Sequence, residues 1–330
     1  MIYVICFCNS NQYKTTYEKK IIVTGHCGYT GTKLIKQLLE NNYEIYGIDT
    51  MWYHETKISN SNFFSYKHDI RDINNFKFPK DIYCVIHLAN IANDPSVELD
   101  EKLSWEVNVL AGYQLIQKCI ENKVQKFIFA SSGSVYGLKE EEKVTEELSL
   151  VPLSAYNKTK MIAERVFLSF KDKIKVFNIR PATVCGISER MRLDVSVNML
   201  TYQAIKKNII NVFGGQQVRP NIHIDDLIEV YLHFLKNDLP EGNYNAGFEN
   251  LKIIEIAEMI SNKTNAKLNI TPNSNDLRSY RLSSEKLLST GFKPKKTVEL
   301  AINELINLYN DKTKIFDETN YNINWLTKKI

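Results

Sequence analysis

No apolar run in this chain approaches the ~20 residues that a membrane-spanning helix requires, so no residence in a bilayer is expected. The opening stretch Met1-Ile2-Tyr3-Val4-Ile5-Cys6-Phe7-Cys8 is apolar but short, and no basic segment precedes it, so a secretory signal is not expected either. Residues 9–18 are polar and read as a leader, either a disordered extension or a start site chosen too early. The six cysteines (Cys6, Cys8, Cys27, Cys84, Cys119 and Cys185) are scattered without any CxxC pair, the pattern of reduced thiols in a cytoplasmic protein. Cys6 and Cys8 lack a second ligand pair, so no metal is expected. Charge of one sign is lacking too. The net charge is only +4, with lysines mixed among the acids, which gives nucleic acid or an anionic membrane no hold as the main partner. There is no internal repeat and no low-complexity tract. What remains is ordinary and globular: 330 residues, 44% apolar and 24% charged, enough for one large domain or two modest ones.

Against that background one short stretch stands out, Tyr156-Asn157-Lys158-Thr159-Lys160. Residues four apart on a helix share a face. A lysine ammonium beside a phenol favours the phenolate, a general base for a sugar or alcohol hydroxyl. Taken alone the spacing fits an exposed amphipathic helix equally well. A catalytic reading needs a hydride acceptor, a second hydroxyl partner and a substrate pocket.

The chain supplies these in order. Lys20-Ile21-Ile22-Val23-Thr24 is a short buried-strand pattern, followed by Gly25-His26-Cys27-Gly28-Tyr29-Thr30-Gly31 and an amphipathic helix from Thr32 to Leu39. Strand, glycine turn and helix make a phosphate-binding turn, although the spacing is GxxGxxG and not GxGxxG. The next strand, Glu44 to Ile48, ends in Asp49, a carboxylate placed to accept both adenosine ribose hydroxyls and to repel a 2′-phosphate. NAD is therefore the expected cofactor, not NADP. A third strand (Phe63 to Lys67) leads to Asp69 and Ile70, which suit an adenine; Asp69 equally suits a helix N-cap. A fourth strand, Tyr83 to Leu88, is apolar but for His87, a core or hydrogen-bonded histidine, and Ala89 and Asn90 sit at its C-terminal end. A long helix is predicted from Glu101 to Asn122; Asn108 within it faces the cofactor or is simply exposed. The fifth strand, Lys126 to Ala130, opens into Ser131-Ser132-Gly133-Ser134-Val135-Tyr136-Gly137. After an acidic loop (Glu140 to Glu147), Ser154 is placed to cap the helix of Tyr156 and Lys160. A sixth strand, Lys173 to Ile179, completes the alternation of a doubly wound parallel sheet. Mixed helical and short strand patterns from 187 to 309 read as a smaller lobe over the sheet's ligand edge, and the last twenty residues as a polar, ill-ordered tail.

With these residues in place, the chain resembles the extended short-chain dehydrogenase/reductases that act on nucleotide sugars. The resemblance spans about residues 19–309. It is carried by Thr24-Gly25 through Gly31, His87-Leu88-Ala89, Ala130-Ser131-Ser132 with Val135-Tyr136-Gly137, Tyr156 to Lys160, Arg180-Pro181-Ala182-Thr183, and Arg219 with His223-Ile224-Asp225-Asp226. Arg190-Met191-Arg192-Leu193-Asp194 with Val197-Asn198 is similar to the branch described as NAD-dependent epimerase/dehydratase. The resemblance implies a Rossmann-type NAD-binding domain over 19–182, after the 1–18 leader, with an interleaved α/β substrate lobe over 183–310 and a tail over 311–330. It implies that Ser132 shares the substrate hydroxyl with Tyr156, and that Lys160 binds the nicotinamide ribose. It assigns dinucleotide contacts to Tyr29, Thr30, Leu88, Ala89, Asn90 and Asn108, beside Gly25, Gly28, Gly31, Asp49, Asp69 and Ile70 read above, with Tyr156 and Lys160 also against the cofactor. It assigns the substrate's diphosphate and nucleoside to Asn198, Arg219 and Arg278. It also implies a homodimer built through the helices starting near 101 and 154.

The departures narrow the chemistry. The dehydratases of this family carry an Asp-Glu pair directly after the catalytic Ser or Thr; here those positions are Gly133 and Ser134. The 3,5-epimerase/reductases use a Cys and His pair; Ser134 stands in place of the Cys, and no His follows Gly186 until His223. Cys185 replaces a usual Tyr, and Thr183 stands where many 4-epimerases have Asn. The expected function is an NAD-dependent nucleotide-sugar epimerase acting at C4 through a transient 4-keto intermediate. The alternative is an NAD(H)-dependent 4-reductase or 4-dehydrogenase on the same residues. A third reading, a non-catalytic dinucleotide-binding protein, stands poorly with Ser132, Tyr156 and Lys160 all retained.

Overall fold

The computed structural model describes residues 19–272 and 279–329. The 1–18 leader and Arg278 therefore lie outside the described residues.

Short runs of branched apolar residues make the strands of the main sheet: β1 (Lys20–Thr24), β2 (Glu44–Asp49), β3 (Phe63–Lys67), β4 (Ile82–His87), β5 (Lys126–Ala130) and β6 (Lys175–Pro181). Inner strands β1, β4 and β5 are buried along nearly their whole length, as a parallel sheet covered on both faces requires. Helix α1 (Tyr29–Glu40) lays Leu34, Ile35 and Leu38 on one face of the sheet. The other face is covered by α2 (Asp94–Leu99), α3 (Glu101–Trp105), α4 (Ala111–Glu121) and α5 (Ala155–Leu168), with Leu115, Ile116, Ala163 and Phe167 at the seam. The long helix read over 101–122 is thus α3 and α4 joined by one π turn (Glu106–Leu110).

Beyond β6 come β7 (Thr183–Cys185), α6 (Ser196–Lys207), β8 (Ile209–Phe213), β9 (Val218–His223), α7 (Ile224–Lys236), β10 (Gly242–Ala246), β11 (Glu249–Lys252), α8 (Ile253–Thr264), β12 (Lys267–Thr271), α9 (Glu285–Ser289), α10 (Val298–Asn310) and α11 (Asn322–Leu326). A third core gathers α6, α8 and α10 around Leu200, Ile256, Ile260, Ile302 and Leu305. Small sheets β11-β9-β7 and β12-β8 complete this lobe.

Two expectations are corrected here. The sheet does not end at β6. Its order is β10-β6-β5-β4-β1-β2-β3, every neighbour parallel, so β10 returns from the lobe as a seventh strand. The segment is Gly-Asn-Tyr-Asn-Ala, too polar to read as a buried strand. Its asparagines are accommodated because they are bonded: Asn178 donates to the half-buried Asn243 Oδ1 at 2.9 Å, and the fully buried Asn245 donates to the carbonyls of Val144 and Ser283 at 3.1 and 3.0 Å. The C-terminal segment is also not an ill-ordered tail. Leu326 is fully buried in the α4–α5 core, and Asn322 is buried beside Arg190.

Candidate active site

A cavity of about 550 Å³ opens beyond the C-terminal ends of the main-sheet strands, under the lobe. This is where open α/β sheets bind ligands, at the point where strand order reverses between β1 and β4. It is lined by Gly25, Gly28, Tyr29, Thr30, Gly31, Asp49, Asp69, Ile70, Leu88, Ala89, Asn90, Ser132, Tyr156, Lys160 and Arg219. Nearly all of the residues singled out by sequence therefore meet on one surface.

The glycine turn is a consequence of crowding. Gly25 has φ +74°, and a Cβ there would sit 2.6 Å from the Ala89 nitrogen; at Gly31 it would sit 2.3 Å from the Gly25 carbonyl oxygen. The N-cap of α1 is Gly28, which has no side chain to satisfy the first-turn amides, so the helix presents them to an anion. Asp49 is held at the tip of β2 by backbone amides: Cys27 donates to Oδ2 at 3.0 Å and Met51 to Oδ1 at 2.7 Å. Asp69 caps the 3₁₀ turn Ile70–Asn75 and pairs with Arg71, while bordering the cavity. Asn90 donates to the Ala89 carbonyl at 2.6 Å, and its buried Oδ1 has no protein partner. An uncapped helix N-terminus, a carboxylate at a strand tip and an unsatisfied amide oxygen along one wall fit a dinucleotide.

Farther along the wall, Ser154 caps α5 by accepting from the Asn157 amide at 3.2 Å, which sets Tyr156 and Lys160 on the cavity side. Lys160 is buried. Its Nζ donates to the Ala130 carbonyl at 2.6 Å and lies 5.8 Å from the centre of the Tyr156 ring. Desolvation pulls this lysine down to about 7, with Glu164 opposing. Glu164 itself grips Arg180 of β6 in a two-pronged pair at 2.9 and 2.7 Å. Arg180 donates onward to Tyr136 Oη at 2.6 Å, and Tyr136 to Asn245 at 2.8 Å. This buried network ties α5 to β6 and β10 and fixes the helix of Tyr156 and Lys160 against the sheet. Ser132 begins the 3₁₀ turn Gly133–Tyr136, and its Oγ lies 2.7 Å from Ser134 Oγ.

Two expected contacts are placed otherwise. Asn108 does not line the cavity. It is fully buried, its Oδ1 accepting from the Ile91 amide and its Nδ2 donating to the Ile91 carbonyl and to Thr159 Oγ1. It braces the wall behind Ile91. Asn198 is also fully buried: it accepts from the Gly186 amide at 3.0 Å and donates to Tyr29 Oη and the Arg192 carbonyl. Tyr29 in turn donates to the Gly186 carbonyl at 2.7 Å. Asn198 thus fastens the lobe to the glycine turn.

The structure adds lining residues to which the sequence reading gave no role. Trp52 and Tyr53 follow Asp49, and Arg190, Arg192 and Asp194 come from the segment before α6. Arg190 is buried and stacks on Tyr53, 4.5 Å from the ring centre, while donating to Asn322 Oδ1 at 2.7 Å and the Thr319 carbonyl at 2.9 Å. Burial pushes it down to about 10. Arg192 pairs with Asp194 at 2.9 Å. Asn322, from the C-terminal segment, had no local signal at all.

The family model for the NAD dependent epimerase/dehydratase family matches residues 21–247. A Bacillus subtilis protein described as an uncharacterized UDP-glucose epimerase is 31% identical over 232 residues, 64% of this chain and 70% of that one. The human dTDP-D-glucose 4,6-dehydratase is 26% identical over 322 residues, 89% of this chain and 91% of its own. Among solved structures, the UDP-glucuronic acid 4-epimerase of Bacillus cereus, in complex with UDP-glucuronic acid and NAD, superposes with a TM-score of 0.77. The two are 26% identical, and the match covers 88% of this chain and 98% of that one.

Proposed function

This chain belongs to the NAD dependent epimerase/dehydratase family, and from that premise we propose that it is a nucleotide-sugar epimerase acting at C4 through a transient 4-keto sugar. NAD is the cofactor. The observation that carries the reading is that Ser132, Tyr156 and Lys160 share one cavity wall with the glycine turn and Asp49. Held along the glycine turn and Asp49, NAD would supply a hydride acceptor and donor for C4. Tyr156 removes the proton from the C4 hydroxyl and later returns it. Ser132 hydrogen-bonds the same oxygen. Lys160 supplies positive charge beside the phenolate. Arg219, buried in β9 and bordering the cavity, holds the substrate's diphosphate. Dehydration is disfavoured because Gly133 and Ser134 follow Ser132, leaving no carboxyl there to protonate a departing hydroxyl.

Relatives described as UDP-sugar 4-epimerases support this reading. The test is to mix the purified protein with UDP-, GDP- and CDP-sugars without added cofactor and follow C4 configuration by NMR. Inversion of one sugar is expected; no inversion across the panel rejects the proposal. A stoichiometric gain or loss of reduced nicotinamide absorbance instead would assign a 4-dehydrogenase or 4-reductase.

The exposed face of α3, the π turn and α4 carries Trp105, Leu110 and Tyr113, with Val109 and Val166 beside them. We propose that this apolar face pairs with a second copy of the chain.

A further inference from the structure

Three polar side chains run inward from the cavity wall in single file. Ser132 Oγ lies 2.7 Å from Ser134 Oγ, and Ser134 donates to Asn157 Oδ1 at 2.5 Å. Ser132 borders the cavity, whereas Asn157 is fully buried behind it. Backbone bonds fix their places: the Ser134 amide donates to Ser132 Oγ at 3.2 Å, and the Asn157 amide is tied to Ser154. Only hydroxyl protons and the orientation of one carboxamide are left to vary.

A hydroxyl has one proton, and a carboxamide oxygen only accepts. With the Ser134 proton directed at Asn157, Ser132 must donate to Ser134. Its oxygen then offers the cavity lone pairs alone. This setting gives the alcohol no partner at Ser132, because the alcohol's single proton is directed at Tyr156. It does not suit a ketone, which needs a donor as charge builds on its oxygen. Turning the Asn157 carboxamide over reverses the whole file, because its nitrogen and oxygen exchange places. Asn157 then donates to Ser134, Ser134 to Ser132, and Ser132 to the ketone. The surroundings permit both settings. Asn157 Nδ2 is buried with no hydrogen-bond partner, a costly state for a donor. Reversal gives that nitrogen a partner and leaves a carbonyl oxygen unsatisfied, the less costly orphan.

We propose that Asn157, acting through Ser134, sets the hydrogen-bond direction of Ser132, so that the Ser132 proton is turned toward the substrate oxygen and donated to it as the ketone forms. Asn157 and Ser134 are positioning residues that act through Ser132. The relay makes and breaks no covalent bond; only the O–H and N–H directions change, and no further reagent is needed. It rests on the reading above that a sugar hydroxyl and its ketone interconvert beside Ser132.

The test uses the full chain with its cofactor. Asn157→Asp introduces a carboxylate that only accepts and so locks Ser132 away from the ketone. It is expected to lower kcat by roughly 10²-fold, the scale of losing one preorganised donor, with KM and bound NAD unchanged. Asn157→Ala and Ser134→Ala are expected to lower kcat less than Asn157→Asp does, again without moving KM. A kcat within twofold of the parent in both Asn157→Asp and Ser134→Ala, or a loss confined to KM, overturns the proposal. If the parent itself converts no nucleotide sugar, the functional reading fails on that result alone. The relay is then read separately from the Asn157 side-chain NMR signal in ¹⁵N-asparagine-labelled protein. That signal is expected to shift when Ser134→Ala removes the hydroxyl, and an unmoved signal overturns the relay.

Discussion

Lys160 shows what the site asks of single residues. Its ammonium lies among Ala130, Phe129 and Tyr156, out of water, which drops it from 10.5 to about 7. Between those values the unfolded chain binds the proton that the folded chain releases. Stability of the cofactor-free protein is therefore expected to rise with pH across this window and to be lost as pH falls through about 7. The slope reaches at most about 1.4 kcal/mol per pH unit. Denaturant titrations between pH 7 and 8.5 should show it in the parent and not in Lys160→Met; equal slopes would contradict the burial argument. For Tyr156→Phe, turnover is expected to fall by about 10²–10⁴-fold while bound NAD is retained, since only the proton shuttle is removed. Measuring turnover and nucleotide content on one preparation separates the two effects. Which residues were legible in the sequence follows from how local their setting is. Gly25, Gly31 and Asp49 were legible because a turn and a strand tip dictate their surroundings. Asn108 and Asn198 were not. Their amides turn toward the Ile91 and Gly186 backbones, and nothing within their own helices announces those partners.

At the scale of elements, strands with branched apolar runs were legible, and β10 was not, because its burial depends on hydrogen bonds between asparagines distant in sequence. Helix α11 was missed for a related reason: five residues carry too little pattern to register. Yet the segment is well tied. The Leu193 amide donates to the Asn320 carbonyl at 2.9 Å, the Trp325 ring nitrogen to the Trp52 carbonyl, and the Asn322 amide to Asp194. Leu326→Ala is expected to cost about 2–5 kcal/mol in urea unfolding, the usual range for emptying a buried leucine site. Because the same segment places Asn322 in the cavity wall beside Arg190, the variant should also lose NAD faster on dialysis. A Leu326→Ala protein as stable as the parent would show the segment to be only loosely seated.

At the scale of the molecule, the seven-stranded sheet and the lobe enclose the cavity, and the apolar face of Trp105, Leu110 and Tyr113 stays exposed. No helix among the described residues is long and apolar enough to cross a membrane. Leu110, 52% exposed, sits near the middle of that uncovered face. Leu110→Asp is expected to halve the mass seen by light scattering while leaving the fold's circular dichroism unchanged. A parent that is already monomeric would remove the homodimer from consideration.

The return of β10 also bears on how the chain is made. The partner of β6 on its outer side lies beyond α7, so a growing chain that has emerged only as far as Ala182 holds a sheet with a raw edge. The sheet can gain its seventh strand only after residue 246 has left the ribosome, with β7, β8 and β9 already synthesised. A nascent chain stalled at 182 is thus expected to be bound by chaperones and open to protease, and one stalled past 246 with its sheet protected. The main sheet is in that sense finished by a strand that returns from the lobe, so sheet and lobe are expected to mature together.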